Sequence, residues 1–347
     1  MGSVKDLDIL EKPTDKAGHG RFHFSDRYSV FDWGEMPDLI KNKGSALCLM
    51  GAACFENAEK KGIKTHYNGL VQENKILHID ELDSPADIMD VKIVNVFRPK
   101  SFFENGLKYN YSIYSSKMVN FLIPLEIIYR NGLPEGASIF KRLKSGAVTY
   151  QELGLDHYPI PGEKLSPPIL DVSTKLEDKD RYITWREAQE MVKLSDDELC
   201  EIKNVLSKVN SIISDMAKSA GLVNEDGKIE LAFDEMRRPM LVDVAGTLDE
   251  CRFTMDEMHV SKEVARIWYR KTKWFADLTN AKELGVQRGV ANWKSLCVST
   301  PPALDIELKG IIEDMYTSTA NSFVRKKIFD SPSLRDVVSH YNDWVNG

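Results

Sequence analysis

Two acidic residues occupy interior positions of neighbouring short apolar segments in the second half of the chain. Glu230 lies in the first segment and Asp243 in the second, with a turn at 234–239 between them. Alternation along a strand places Glu230 on the same face as Lys228 and Asp226. If the two strands pair, the two acids converge, and hard carboxylate oxygens completed by phosphate oxygens are how Mg²⁺ is held in nucleotide enzymes. A solvated hairpin with ordinary surface charges is the alternative.

A long amphipathic helix precedes this hairpin. Ser195 and Glu198 have the spacing of a capping box at its start, and Gly221 is placed to end it. We expect this helix to be structural and to deliver the chain to the hairpin. Its predicted buried face consists of Leu199, Ile202, Leu206, Val209, Ile213, Met216 and Ala220.

A second candidate binding element lies near the N-terminus. Lys12, Lys16, Gly18 and Gly20 surround an expected turn before a strand at 22–24. Because bare backbone amides and ammonium groups can both approach phosphate oxygens, this turn is a candidate ATP-binding loop. A surface turn with two solvated lysines is the alternative.

Five segments, in order along most of the chain, resemble the SAICAR synthetase family of purine-pathway amide ligases. Their common order favours that family's fold. The segments are Ser25-Asp26-Arg27-Tyr28-Ser29-Val30-Phe31-Asp32, Lys43-Gly44, 123–130 ending in Arg130, Ser173-Thr174-Lys175 with Asp180, and the Asp226, Lys228 and Glu230 run followed by Asp243 and by Asp249-Glu250-Cys251-Arg252.

The resemblance implies a two-step synthesis in which ATP phosphorylates a carboxylate of an aminoimidazole ribonucleotide and the amine of L-aspartate attacks the acyl phosphate. It implies catalytic roles for Asp226 and Lys228, and Mg²⁺ ligation by Glu230 and Asp243. Arg130 is expected at the end of an apolar strand. The expected ATP-binding residues are Lys12, Lys16, Gly18, Gly20 and Lys43, and the expected substrate-binding residues are Arg27, Ser29, Asp32, Arg130, Ser138, Lys175, Asp180, Asp249 and Arg252.

The chain departs from the family pattern near the substrate. Leu248, Glu250 and Cys251 replace a proline and two small residues, and Lys179 replaces a histidine. Glu250 is expected to repel a dicarboxylic amino acid unless a cation such as Lys179 pairs with it. Two alternatives therefore stay open: a related ATP-dependent ligase acting on a different carboxylate or amine, and a nucleotide-binding protein without ligase activity. The retained carboxylate pair argues against the second.

Composition indicates a cytoplasmic enzyme acting on small molecules. The net charge of −7 over 347 residues argues against nucleic-acid binding, which needs clustered Lys and Arg. The sequence lacks an 18-residue apolar run and an N-terminal signal peptide, which argues against a membrane partner. Five scattered cysteines without Cys-x-x-Cys spacing suggest reduced thiols.

The predicted fold class is α+β, similar to SAICAR synthetase, with a small β-rich N-terminal lobe and a larger α/β lobe with C-terminal helices. We expect a nucleotide-binding lobe at 1–95, a central lobe with the metal and substrate site at 96–255, and a helical segment packed on that lobe at 256–347. The aromatic segment 97–119 is inserted relative to the family. A lid, a lobe extension and a homo-oligomer contact all remain open for it.

Overall fold

The computed structural model describes residues 4–104, 106–290 and 292–347. Helices and mainly antiparallel sheets are mixed along the chain, which confirms the predicted α+β class. Buried apolar side chains from both large sheets and from the helices form a continuous core. Among the described residues, no helix has the length and hydrophobicity needed to cross a membrane.

The N-terminal part is a five-stranded antiparallel sheet with the order β1-β2-β5-β3-β4. Helix α1 packs against it and buries an almost continuous run of small and apolar side chains. The helix ends near Gly62, whose φ of 76° suits a glycine at this position. The elements are β1 (Lys5–Glu11), β2 (Gly18–Phe24), α1 (Lys43–Lys60), β3 (Tyr67–Gln72), β4 (Lys75–Leu77) and β5 (Ile88–Ile93).

The inserted segment forms a separate two-stranded hairpin of β6 (Lys100–Phe103) and β7 (Leu107–Asn110). Two tyrosines attach it to the loop after residue 174. The hydroxyl of Tyr109 accepts a hydrogen bond from the backbone N–H of Asp178 at 2.8 Å, and the hydroxyl of Tyr111 donates to Glu177 at 2.9 Å. The insertion therefore lies against a loop of the central part, and an oligomer contact through it stays a prediction.

The central part is a seven-stranded sheet whose main order is β10-β9-β11-β13-β14, with β8 and β12 also paired to β11. Helix α4 packs against β9 and β11 and buries one face of the sheet. The elements are β8 (Phe121–Leu122), β9 (Leu125–Leu133), α2 (Ser138–Lys144), β10 (Glu163–Thr174), α3 (Trp185–Val192), α4 (Asp196–Ser219), β11 (Val223–Phe233), β12 (Pro239–Val242), β13 (Cys251–Met255) and β14 (Met258–Val260).

Helix α4 confirms the sequence prediction in detail. The hydroxyl of Ser195 accepts from the backbone N–H of Glu198, and the Glu198 carboxylate accepts from the backbone N–H of Ser195, which completes the capping box. The predicted positions from Ile202 to Met216 are buried, whereas Leu199 and Ala220 at the two ends of the predicted face are partly buried. The apolar face of the helix thus explains why one face of the central sheet carries Ile127, Tyr129 and other buried apolar residues.

Among the described residues, the C-terminal part contains four α-helices, which contact both the central part and the N-terminal part. Helix α7 lies mainly against α1 and α8, because its buried face matches α1 of the N-terminal part. Strand β14, which follows residue 255, belongs to the central sheet. The helices are α5 (Glu263–Arg270), α6 (Lys273–Arg288), α7 (Ile306–Val324) and α8 (Leu334–Asn346).

Candidate active site

A row of alternating charges crosses four adjacent strands on the sheet face opposite α4. Asp171 of β10, Arg130 of β9, Asp226 of β11 and Arg252 of β13 follow one another in that order. Arg130 lies 3.3 Å from Asp171 and 3.3 Å from Asp226. Arg252 binds both carboxylate oxygens of Asp226, and its Nε lies 2.8 Å from Oδ1. The antiparallel registers bring these side chains to one face, as the alternation of residues 226–230 predicts for β11.

Arg130 is held loosely for a buried guanidinium. Its side chain is only 3% exposed, yet its bonds to Ser138 and Tyr182 are 3.2 Å long. Among the described residues its buried Nε has no hydrogen-bond partner. Strand β9 continues to Leu133, so Arg130 lies inside the strand, and the expected strand-end position is wrong. Arg130 also lines the cleft described below, and a guanidinium at a cleft is suited to bind an anion.

Glu230 and Asp243 converge as the hairpin predicts. Glu230 lies opposite Val242 in the β11–β12 register, and Asp243 follows at the strand end with a φ of 63°. Burial and the nearby charge of Asp243 raise the pKa of Glu230 to about 7. Lys175 lies 2.5 Å from Glu230, and Lys5 lies 2.8 Å from Asp243.

The charge of Asp243 is stabilised differently. Burial alone would raise its pKa, but Lys5 and Lys175 outweigh that effect and hold the pKa below its usual range. The pair therefore contains one strongly ionised carboxylate and one that titrates near neutrality. Each carboxylate is paired with an ammonium group, Asp243 with Lys5 and Glu230 with Lys175.

Lys228 lies between three acids. Its Nζ is 2.9 Å from Glu126, 3.0 Å from Glu250 and 4.0 Å from Glu230. Burial opposes its charge, but these carboxylates raise the pKa of Lys228 well above its ordinary value. Glu250 is thus paired with Lys228, which it shares with Glu126, and the expected partner Lys179 is exposed on a different loop. Asp226 pairs with arginines, so it does not orient Lys228 in this structure.

Lys43 is not positioned to bind ATP directly. It is 1% exposed at the start of α1, and its Nζ donates to Asp249 at 3.0 Å. Burial opposes ionisation of Asp249, but Lys43 and Lys262 hold the pKa of this carboxyl below its ordinary value. The expected ATP-binding role of Lys43 is therefore corrected to a contact with Asp249, which itself borders the cleft.

The glycines near the N-terminus serve strand packing. Gly18 and Gly20 lie within β2, where a Cβ would come within 2.3 Å of the Glu11 carbonyl oxygen and 2.6 Å of the Asp8 carbonyl oxygen. Lys12 and Lys16 are exposed in the β1–β2 turn. In this structure Lys5, rather than these two lysines, reaches the acid pair. The ATP-binding roles of Lys12, Lys16, Gly18 and Gly20 therefore stay a prediction.

Four other predicted residues lie on loops around the site. Arg27 binds Asp6 at 2.7 Å, whereas Ser29 is partly buried in the same loop. Asp32 borders the cleft and pairs with Lys282 at 2.8 Å. Asp180 lies in the loop after β10. Partial burial and the charge of Glu126 raise its pKa to about 6, although Lys228 and Lys175 act in the opposite direction.

A cleft of about 440 Å³ brings together the two arginines of the charge row, Lys228 and Asp249, whereas Glu230, Asp243 and Lys175 are not among its lining residues. Its walls come from β9, β11, the turn before β13, and helices α2, α5 and α6. A separate cavity of about 240 Å³ between α1, α4 and α7 contains none of the charge row, so the chemistry of the lining identifies the candidate site. The cleft lining includes Asp32, Glu126, Arg130, Ser138, Tyr182, Asp226, Lys228, Asp249, Glu250 and Arg252.

Sequence reasoning missed several residues that hold this arrangement. Glu126 shares a strand face with Arg130, so alternation along β9 could have found it. Asp171 could have been found only with the β9–β10 register. Lys5 and Tyr182 carry no recognisable local pattern, since their contacts are with residues far away in the sequence.

Comparisons with known proteins agree with this architecture. A protein-family model described as SAICAR synthetase matches residues 8–281. A putative phosphoribosylaminoimidazole-succinocarboxamide synthase of Archaeoglobus fulgidus is 46% identical over 343 residues, which cover 99% of both chains.

Two solved structures share the fold. SAICAR-synthase from Saccharomyces cerevisiae, complexed with SAICAR, has a TM-score of 0.61 at 21% identity and covers 94% of both chains. A type-2 SAICAR synthetase in complex with ADP has a TM-score of 0.54 at 20% identity, covering 88% of this chain and 99% of that one. With the family match spanning most of its length, this chain belongs to the SAICAR synthetase family.

Proposed function

We propose that this protein is an ADP-forming amide ligase that joins carboxyaminoimidazole ribonucleotide to L-aspartate and yields SAICAR, ADP and phosphate. One observation carries the proposal: the acid pair Glu230 and Asp243, with its adjacent lysines, lies next to a cleft that contains arginines. The acid pair with its lysines suits a metal ion and a nucleotide's phosphates, and the cleft with its arginines suits anionic acceptor substrates. The reduced cysteines support a cytoplasmic location.

The reaction needs a carboxylate to become an electrophile. Transfer of the γ-phosphoryl group of ATP to the ribonucleotide carboxylate gives an acyl phosphate, and the aspartate amine then displaces phosphate and loses a proton. We assign Lys228 to the transferring phosphoryl group, because its charge is fixed by Glu126 and Glu250. The cleft positions the reactants and keeps water from the acyl phosphate.

The donor set suits Mg²⁺ with an incomplete protein shell. Among the described residues, no three His, Cys, Asp or Glu side chains cluster as a metal site. Glu230 and Asp243 would supply two oxygen ligands, and water and nucleotide phosphates would complete six. When bound, the ion would neutralise phosphate charge during transfer. Lys5 and Lys175 already lie at these carboxylates and are assigned to the phosphates, with Lys5 replacing Lys12 and Lys16 in that role.

The arginine-bearing end of the cleft is assigned to the ribonucleotide and aspartate anions. Arg130 lines this end of the cleft, Ser138 offers a hydroxyl beside it, and Arg252 is fixed by Asp226. Asp226 acts here by orienting two guanidinium groups. The salt bridge between Glu250 and Lys228 reduces the expected repulsion of a dicarboxylic amino acid, which weakens the case for a different amine substrate.

The proposal is tested by ADP release with ATP, Mg²⁺, carboxyaminoimidazole ribonucleotide and L-aspartate, omitting each in turn. We expect turnover only with all four, and a product whose mass is that of SAICAR. Turnover with another amine but not with aspartate would favour the related-ligase alternative. Binding of ATP without turnover of any acid–amine pair would favour the inactive nucleotide-binding alternative.

A further inference from the structure

A tyrosine from the C-terminal helix α7 reaches the turn that forms one wall of the cleft. The hydroxyl of Tyr316 donates to Oδ1 of Asp249 at 2.5 Å. Tyr316 is 2% exposed, and the Nζ of Lys43 lies 5.3 Å from the centre of its ring. Residue 316 lies beyond the segment 8–281 that matches the family model, so the match does not include this contact.

The two oxygens of Asp249 have different protein partners. Oδ1 accepts from Tyr316, and Oδ2 accepts from Lys43 at 3.0 Å, with Lys262 at 3.9 Å. Both closest partners come from helices that pack on each other, α7 and α1. The side chain of Asp249 is only 5% exposed, so its carboxylate is held by Tyr316 and Lys43 rather than by water.

Asp249 belongs to a short turn whose residues are connected to Thr247 and Lys228 by hydrogen bonds. The backbone N–H of Asp249 donates to the Thr247 hydroxyl at 3.3 Å, and the carbonyl oxygen of Glu250 accepts from the backbone N–H of Lys228 at 3.1 Å. The Glu250 carboxylate then meets the Lys228 ammonium group. These contacts link Asp249, through one intervening residue, to the lysine assigned to phosphoryl transfer.

We propose that Tyr316 is a positioning residue for the ligase reaction, which holds Asp249 and through it the Glu250–Lys228 pair. This inference rests on the proposed function. Helix α7 thereby supplies part of the active-site support, in addition to packing against α1. Tyr316 does not line the cleft and has no proposed contact with substrate.

The test compares Tyr316→Phe with Tyr341→Phe. Tyr341 is a buried tyrosine of the neighbouring helix α8 that stacks on Trp344 and lies outside the cleft lining. Because a hydrogen bond to a charged group is lost, kcat of Tyr316→Phe should fall about tenfold or more, with the KM for ATP unchanged. Tyr341→Phe should retain the wild-type kcat. Equal kcat values in Tyr316→Phe and wild type, or equal losses in both variants, would overturn the proposal.

A double-mutant cycle with Asp249→Asn separates positioning from general destabilisation. If Tyr316 acts through Asp249, the double variant should be no slower than Asp249→Asn alone, whereas additive losses would refute the coupling. Asp249→Asn is used only if its circular dichroism matches wild type; otherwise the kcat comparison of the two tyrosine variants decides. Absence of turnover in wild type would instead refute the proposed function, and the inference with it.

Discussion

Replacing Arg130 with lysine should weaken substrate binding far more than it destabilises the fold. The substitution keeps the positive charge but removes the planar fork that reaches Asp171 on one side and Asp226 on the other. It also removes the Nε donor that has no partner among the described residues. Without the planar fork, an anionic substrate in the cleft should be held less tightly.

The structure sets the expected size of both effects. The Arg130 bonds to Asp171 and Asp226 are long, at 3.3 Å, and each acid retains another arginine, Arg142 at 2.5 Å and Arg252 at 2.8 Å. The fold should therefore lose about 1 kcal/mol, less than the roughly 3–5 kcal/mol for breaking an uncompensated buried pair. Loss of a two-point contact to an anion should cost about 2 kcal/mol, which corresponds to roughly a 30-fold rise in KM.

Initial rates with varied ribonucleotide, at saturating ATP and aspartate, measure this effect directly. Arg186→Lys is the matched control, because Arg186 is 87% exposed on α3 and pairs only with Glu190 among the described residues. Its KM should equal that of wild type. A wild-type KM in Arg130→Lys, with the fold intact by circular dichroism, would refute the assignment of Arg130 to an anionic substrate.

Three further predictions concern charged groups that are assigned to the metal, to the nucleotide phosphates, or to the support of Lys228. Lys5→Ala should raise the KM for ATP at least tenfold, because Lys5 lies at the acid pair, while the exposed Lys12→Ala should not change it; equal effects would contradict the reassignment. Because the pKa of Glu230 is raised to about 7, the magnesium-free protein should lose stability as pH rises from about 4.5 through 7. For the same reason, Mg²⁺ should bind roughly tenfold more weakly at pH 6 than at pH 8. Calorimetry that finds equal Mg²⁺ affinity at the two pH values, or the same difference in affinity in Glu230→Gln, would contradict this prediction. Glu250→Ser should lower kcat about tenfold without improving the KM for aspartate, because Glu250 holds Lys228 at 3.0 Å; a lower KM for aspartate would restore the repulsion hypothesis.

Local patterns predicted the elements whose sequences determine them directly. The period-2 alternation at residues 226–230 placed three charged residues on one face of β11, and the helical period with its capping box located α4. The turn before β12 was also predictable, since Asp234 accepts hydrogen bonds from the backbone N–H groups of Met236 and Arg238. These are short-range signals.

The errors arose where contacts between distant residues decide the outcome. Gly18 and Gly20 have the same local pattern in a phosphate loop and in a closely packed strand, and only the position of β1 distinguishes the two. Lys43 looks accessible in sequence but is covered by α7, more than 260 residues later. The partner of Glu250 depends on the register that brings β11 beside the turn before β13, which sequence spacing does not reveal.

The central claim is that Glu230 and Asp243 form the metal-binding end of an ATP-dependent ligase site. The most direct measurement is ADP release by Asp243→Asn and wild type with ATP, Mg²⁺, carboxyaminoimidazole ribonucleotide and L-aspartate, with circular dichroism as the control for folding. The account predicts full-substrate turnover in wild type and a loss of at least a thousandfold in the folded variant, the scale of losing an essential electrostatic contribution of about 4 kcal/mol. Wild-type turnover by Asp243→Asn would contradict it.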